Sequence, residues 1–115
     1  MKRLIATIGA AALAASSLAT PSVSYAYPNA SEWSHEFERN QDVCVNTAKA
    51  AFVREGWGDI DVQSKYTVFA DKGKLTGVIL CLYETETQAI AVCFVAGGPA
   101  GLAGTEADRL EADVI

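Results

Sequence analysis

The sequence predicts a small α+β domain of order αβββα: a long N-terminal helix, a three-stranded antiparallel β-meander and a short C-terminal helix. Three observations predict it. Apolar residues recur at three- and four-residue steps from Phe37 to Phe52, the period shortens to two from Asp59 onward, and turn-forming clusters cut that second region into hairpin-sized pieces.

Residues Tyr27 to Ser34 read as an entry segment, with Pro28 and Asn29 favouring turns and Trp33 as an apolar anchor. Ser34 is the expected N-cap of the helix, and Glu36 and Glu38 place negative charge where the helix dipole favours it. Phe37, Cys44, Ala48, Ala51 and Phe52 form the buried stripe. Gly56 ends the helix, because glycine takes the left-handed C′ conformation without a Cβ clash. Asp59 to Ala70 then alternates as a first strand, Asp71-Lys72-Gly73-Lys74 turns the chain, and Leu75 to Tyr83 forms an apolar central strand. Glu84 to Thr87 is a polar turn before a third strand, Gln88 to Ala96. Gly97 to Gly104 is a flexible connection. Thr105 is the expected cap of the last helix, with Asp108 three residues on and Leu110, Val114 and Ile115 near one face.

The first 26 residues carry a different signal. Lys2 and Arg3 precede an uncharged, alanine-rich run from Leu4 to about Ala19. Thr20-Pro21 breaks it, and Ser24-Tyr25-Ala26 places small residues at the −3 and −1 positions of a signal-peptidase site. Cleavage is expected after Ala26, so residues 1–26 are the signal peptide and residues 27–115 a single exported domain, periplasmic or secreted, with no membrane association once cleaved. A retained anchor would need about 20 apolar residues, and this run is shorter. The chain has nine Lys and Arg against fourteen Asp and Glu. Without Lys2 and Arg3 the balance is seven against fourteen. That net charge of −7, with no basic cluster, excludes nucleic acid as a partner class.

Three cysteines, Cys44, Cys81 and Cys93, are expected in an oxidising compartment, which gives one disulfide and one thiol left over. Strand parity bears on the pairing. A two-residue loop at Lys72-Gly73 and an even-length loop at Glu84 to Thr87 gather Ile60, Val62, Tyr66, Val68, Ala70, Gly77, Ile79, Cys81, Ile90, Val92 and Phe94 on one face, the seat for the helix. Cys44–Cys81 then staples helix to central strand, and Cys93 points to the other face. Chain entropy does not choose, since the Cys44–Cys81 loop is worth about 4 kcal/mol and the Cys81–Cys93 loop about 3. Cys44–Cys93, Cys81–Cys93 and three free thiols stay open. The opposite face carries Thr67, Phe69, Thr76, Val78, Leu80, Leu82, Ala89, Ala91, Cys93 and Val95 and needs a cover. Either the last helix packs there, or both helices share the first face and two subunits meet sheet to sheet. In the second case Val78, Leu80, Leu82, Ala91, Cys93 and Val95 form a homodimer interface, with Cys93 free or bridging subunits.

The helix with Cys44, Ala48 and Ala51, its Gly56-Trp57-Gly58 stop, the apolar strand Val78-Ile79-Leu80-Cys81, the strand end Val95 to Pro99 and the acidic last helix resemble the small exported αβββα proteins of bacteria, a family of unknown function. The resemblance implies the fold and a Cys44–Cys81 pair. It implies no activity, and Cys93 is an addition to the pattern.

Candidate chemistry is sparse. Gly98, Gly101 and Gly104 precede a helix but lack a P-loop lysine and the dinucleotide-binding order, and Glu106 and Asp108 oppose an anion there. Cys93 as a nucleophile needs a nearby cation or helix N-terminus to lower its pKa. His35 with Glu32, Glu36 or Glu38 is a thin metal or acid–base candidate, and one histidine without Cys-x-x-Cys spacing points away from a metal. Asp59/Asp61 and Glu84/Glu86 read as solvated charge, and Trp33 and Trp57 as packing. No catalytic residue, metal or cofactor is assigned. The expected function is a non-catalytic periplasmic binding or interaction module whose ligand the sequence does not name. The alternatives are a thiol enzyme or hydrolase built across a subunit interface, and an inhibitor or accessory subunit of an exported enzyme.

Overall fold

The computed structural model describes residues 29–115, so the expected signal peptide lies outside the described residues. Strand β1 (Ala30–Phe37) is followed by helix α1 (Gln41–Arg54), strands β2 (Gly58–Gln63), β3 (Thr67–Lys72), β4 (Leu75–Thr85) and β5 (Gln88–Gly97), and helix α2 (Leu102–Val114). The five strands form one antiparallel sheet in the order β1-β5-β4-β3-β2. Both helices lie on the same face, where they share one apolar core with the sheet.

This corrects the αβββα expectation at two places. The end of the expected entry segment and the expected first turn of the helix together form strand β1: Ser31, Trp33, His35 and Phe37 alternate with Ala30, Glu32, Ser34 and Glu36, and the whole run pairs with β5. Ser34 is therefore a strand residue opposite Val92, and the N-cap is Asn40, whose Oδ1 accepts from the Val43 amide at 3.0 Å. The second correction is that Asp59 to Ala70 is two strands. Ser64 and Lys65 adopt φ of 52° and 69°, folding β2 back on β3 so that Gln63 faces Thr67. The chain turned without a glycine there, so the turn left no mark in composition.

The end of α1 is where the glycine argument holds. Gly56 has φ of 82°, its amide bonds the Val53 carbonyl at 3.1 Å, and the Trp57 amide bonds Phe52 at 2.9 Å, a complete Schellman closure. Helix α2 begins earlier than expected, after Gly101 at φ of 87°, so Thr105 is not its cap but a first-turn residue whose hydroxyl donates to the Gly101 carbonyl.

Register decides the faces. In the β3–β4 hairpin Lys72 faces Leu75, and even residues of β3 oppose odd residues of β4, the parity expected. The β4–β5 hairpin breaks it. Thr85 faces Gln88 at the tip, but Tyr83 faces Ala89, so one extra residue on β4 is accommodated as a bulge. From there odd residues oppose odd: Cys81 faces Ala91, Ile79 faces Cys93 and Gly77 faces Val95. Ala91, Cys93 and Val95 thus lie under the helices, and Ile90, Val92 and Phe94 on the other side, the reverse of the expected assignment.

The helix side is closed by the Cys44–Cys81 disulfide, with Cα atoms 5.9 Å apart. It joins α1 to the central strand across a separation of 37 residues, a loop whose closure is worth about 4 kcal/mol in the chain-entropy picture. Gln41 adds a bond from Nε2 to the Cys81 carbonyl at 2.9 Å. Trp33 reaches across to α2, donating from Nε1 to the Ala107 carbonyl at 2.8 Å.

Beneath the C-terminal end of α1, Phe52 and Trp57 pack edge to face with centroids 5.1 Å apart, directly over Gly77. A Cβ at Gly77 would stand 2.9 Å from both rings. Gly77→Ala is therefore expected to lower stability by about 1–3 kcal/mol through overpacking, read as a reduced denaturant midpoint at unchanged slope.

Candidate functional site

The leftover thiol is the natural first suspect, and its surroundings disarm it. Cys93 is unpaired and 0% exposed, opposite Trp33 on one side and Ile79 on the other. Burial, and secondarily the charge of Glu111, pushes its pKa up to about 12. A thiol so placed stays protonated at neutral pH, and within this chain it is closed off from the surface. Ala91 and Val95 share that fate, so three of the six expected interface residues belong to the core.

His35 also lies on the helix side, while Glu32 and Glu36 lie on the opposite side of β1. The helical spacing that linked them does not exist in a strand. His35 Nε2 instead pairs with the carboxylate of Glu111 on α2, and its ring stands 5.7 Å from Trp33, so it fastens the last helix to the edge strand. Glu38 lies past the strand end. A second polar node holds the other end of α2: Lys72 Nζ donates to the Glu55 carbonyl at 2.7 Å and to buried Glu106 at 3.0 Å, with Arg109 3.6 Å from the same carboxylate. Satisfying Glu106 from two cations explains how a carboxylate sits in the core.

Between the helices a cavity of about 270 Å³ is lined by Asn46, Thr47, Ala50, Ala51, Arg54 and Asp113. Arg54 and Asp113 are 3.6 Å apart, and a hydrogen bond with Asp113 is the main cause raising the Glu55 carboxyl above its ordinary range. Arg54 and Asp113 pair with each other at the helix crossing, and no histidine or cysteine lines the cavity to activate the Thr47 hydroxyl. Among the described residues no group of three His, Cys, Asp or Glu could hold a metal ion. Gly98 and Gly101 take positive φ in the connection to α2 and serve its turns. Trp33 and Trp57 are both buried.

What remains is the sheet face turned away from the helices, and the register lays it out as rows. One row runs Glu32, Phe94, Val78, Phe69, Asp61 from edge to edge. The next runs Ser34, Val92, Leu80, Thr67, Gln63, and on either side stand Glu36, Ile90, Leu82 and Ala30, Ala96, Thr76, Asp71. The middle is apolar across three strands, with Leu82 44% and Phe94 39% exposed. Of the expected interface, Val78, Leu80 and Leu82 are here. Ile90, Val92, Phe94 and the flanking acids were missed, although the alternation Glu32-Trp33-Ser34-His35-Glu36-Phe37 was a period-two signal that could have found the β1 rim.

No protein-family model matches the chain, and no curated protein matches it. Function must therefore be argued from the geometry.

Native Cys93 is expected to resist a maleimide at neutral pH and to react on unfolding, as mass spectrometry would show. Because the folded thiol holds its proton to about 12 and the ordinary value is 9.0, the unfolded state binds fewer protons in that window. Stability should fall as pH rises through it, and Cys93→Ala should flatten that fall in alkaline denaturation curves.

Proposed function

We propose that this is an exported, non-catalytic interaction module that works through the uncovered face of its sheet. The observation that carries this reading is the apolar patch of Phe69, Val78, Leu80, Leu82, Ile90 and Phe94, set around the buried Val92, on a face that no described element packs against. Apolar area of this kind, kept on a folded surface and framed by polar residues, is the mark of a contact surface.

Two further facts support the reading. Three groups with chemical reactivity are engaged within the fold: the thiol of Cys93 is buried, His35 is paired with Glu111, and Glu106 is paired with Lys72. Export is supported by the charge, apolar and small-residue order of residues 1–26 and by a disulfide, a bond that persists in oxidising compartments. No helix among the described residues is long and apolar enough to cross a membrane. A thiol enzyme is disfavoured by the position of Cys93. An inhibitor or accessory subunit would use the same face and differs only in what it binds.

The test is a photo-crosslinking amino acid placed in the cell-expressed protein at Leu82 or Phe94 on the open face, and at Val53, which is 64% exposed on α1. Defined adducts are expected from the two sheet positions and not from Val53. Adducts from Val53 alone, or from none of the three, would contradict the reading.

A further inference from the structure

The charges around the open face say what kind of partner fits it. The apolar centre is bounded on the β1 edge by Glu32 and Glu36 and on the opposite side by Asp61 of the edge strand β2 and by Asp71 of β3, which faces Gly58 of β2. The described strand positions on this face include no Lys or Arg; the cation of β3, Lys72, is on the helix side with Glu106. The row from Glu32 to Asp61 crosses four strand spacings, about 19 Å at the usual inter-strand distance.

Resting on the interaction reading above, we propose that the occupant is a basic amphipathic helix of another protein, its apolar stripe on Phe94, Val78 and Phe69 and its cations over the two acidic edges. The dimensions agree. A helix with side chains is about 10–12 Å wide, leaving about 4 Å on each side, a gap that Lys and Arg cross with their aliphatic stems while the charged ends reach the carboxylates. Apolar contact supplies the affinity, and the paired edges fix the direction in which the helix lies.

A second copy fits less well. Two such sheets stacked about a two-fold axis would set each acidic edge over either the same edge or the opposite one. Both edges carry carboxylates, and the described strand positions of this face carry no cation to answer them, so a stacked pair confronts like charges across the contact. The same argument opposes an anionic membrane surface.

The probe is a Leu/Lys peptide of about 14 residues with its leucines at helical spacing, about 21 Å long as a helix. Titration of the residue 27–115 protein by fluorescence anisotropy and calorimetry is compared with a scrambled peptide of the same composition and a Leu/Glu version. Binding is expected for the first peptide alone, weakened about tenfold by Glu32→Gln, Glu36→Gln, Asp61→Asn and Asp71→Asn together, and weakened by salt. Leu80→Asn should weaken it too, while Asp42→Asn on α1 should not. Circular dichroism of each variant separates loss of binding from loss of fold.

Equal binding of the scrambled peptide, or no effect of the four neutralisations, would overturn the proposal. So would a native mass spectrum showing a dimer that Leu80→Asn dissolves, which would put a second copy on the face and leave the interaction reading standing. Absence of peptide binding alongside crosslinks from Leu82 and Phe94 would refute the basic helix and keep the module; absence of both would refute each.

Discussion

The bulge near the tip of the β4–β5 hairpin is the constraint on which the rest of the structure depends. Side chains alternate faces with a period of two, so one extra residue between Tyr83 and Thr85 reverses the facing of all of β5 relative to β4. With it, Ala89, Ala91, Cys93 and Val95 fall beside Gly77, Ile79 and Cys81. Small residues alternate with mid-sized ones there, and the helices can approach the sheet closely enough for Cys44 to meet Cys81. The same reversal sends Ile90, Val92 and Phe94 to the far side, where they join Val78, Leu80 and Leu82.

The two faces therefore have complementary characters from a single cause. The helix side is finished: a disulfide at its centre, Phe52 and Trp57 over Gly77 at one end, and polar ties from Trp33, His35 and Lys72 to α2 or the end of α1. Fixing both helices to one side leaves no element of the described chain for the other. An apolar strip edged by acids is what the register makes of that vacancy, and it is the part of the molecule on which a function without catalysis can act.

Much of the helix side was legible in the sequence. The stop of α1 at Gly56 follows from glycine's access to positive φ, the β3–β4 parity follows from a two-residue loop, and the Cys44–Cys81 pair follows from a stripe residue meeting an odd position of β4. Three features were not legible, each for a physical reason. Phe37 suits both a helical stripe and the alternation of β1, and the following helix dominated the pattern. The β2–β3 turn uses Ser64 and Lys65 in a conformation usually marked by glycine or asparagine. A bulge without glycine changes parity while leaving composition unchanged. The part of the open face made by Thr67, Phe69, Thr76, Val78, Leu80 and Leu82 was visible because β3 and β4 follow the expected parity. Of its acids, Glu32, Glu36 and Asp61 depended on β1 and β2, the two strands that local pattern did not separate.

Cross-strand proton contacts in solution test the central claim most directly. Isotope-edited NMR of the residue 27–115 protein should show Ile79 next to Cys93 and Cys81 next to Ala91 across the β4–β5 ladder. Contacts of Ile79 with Val92 or Phe94 as its direct partner would remove the bulge, return Cys93 to the outer surface and dissolve the apolar strip.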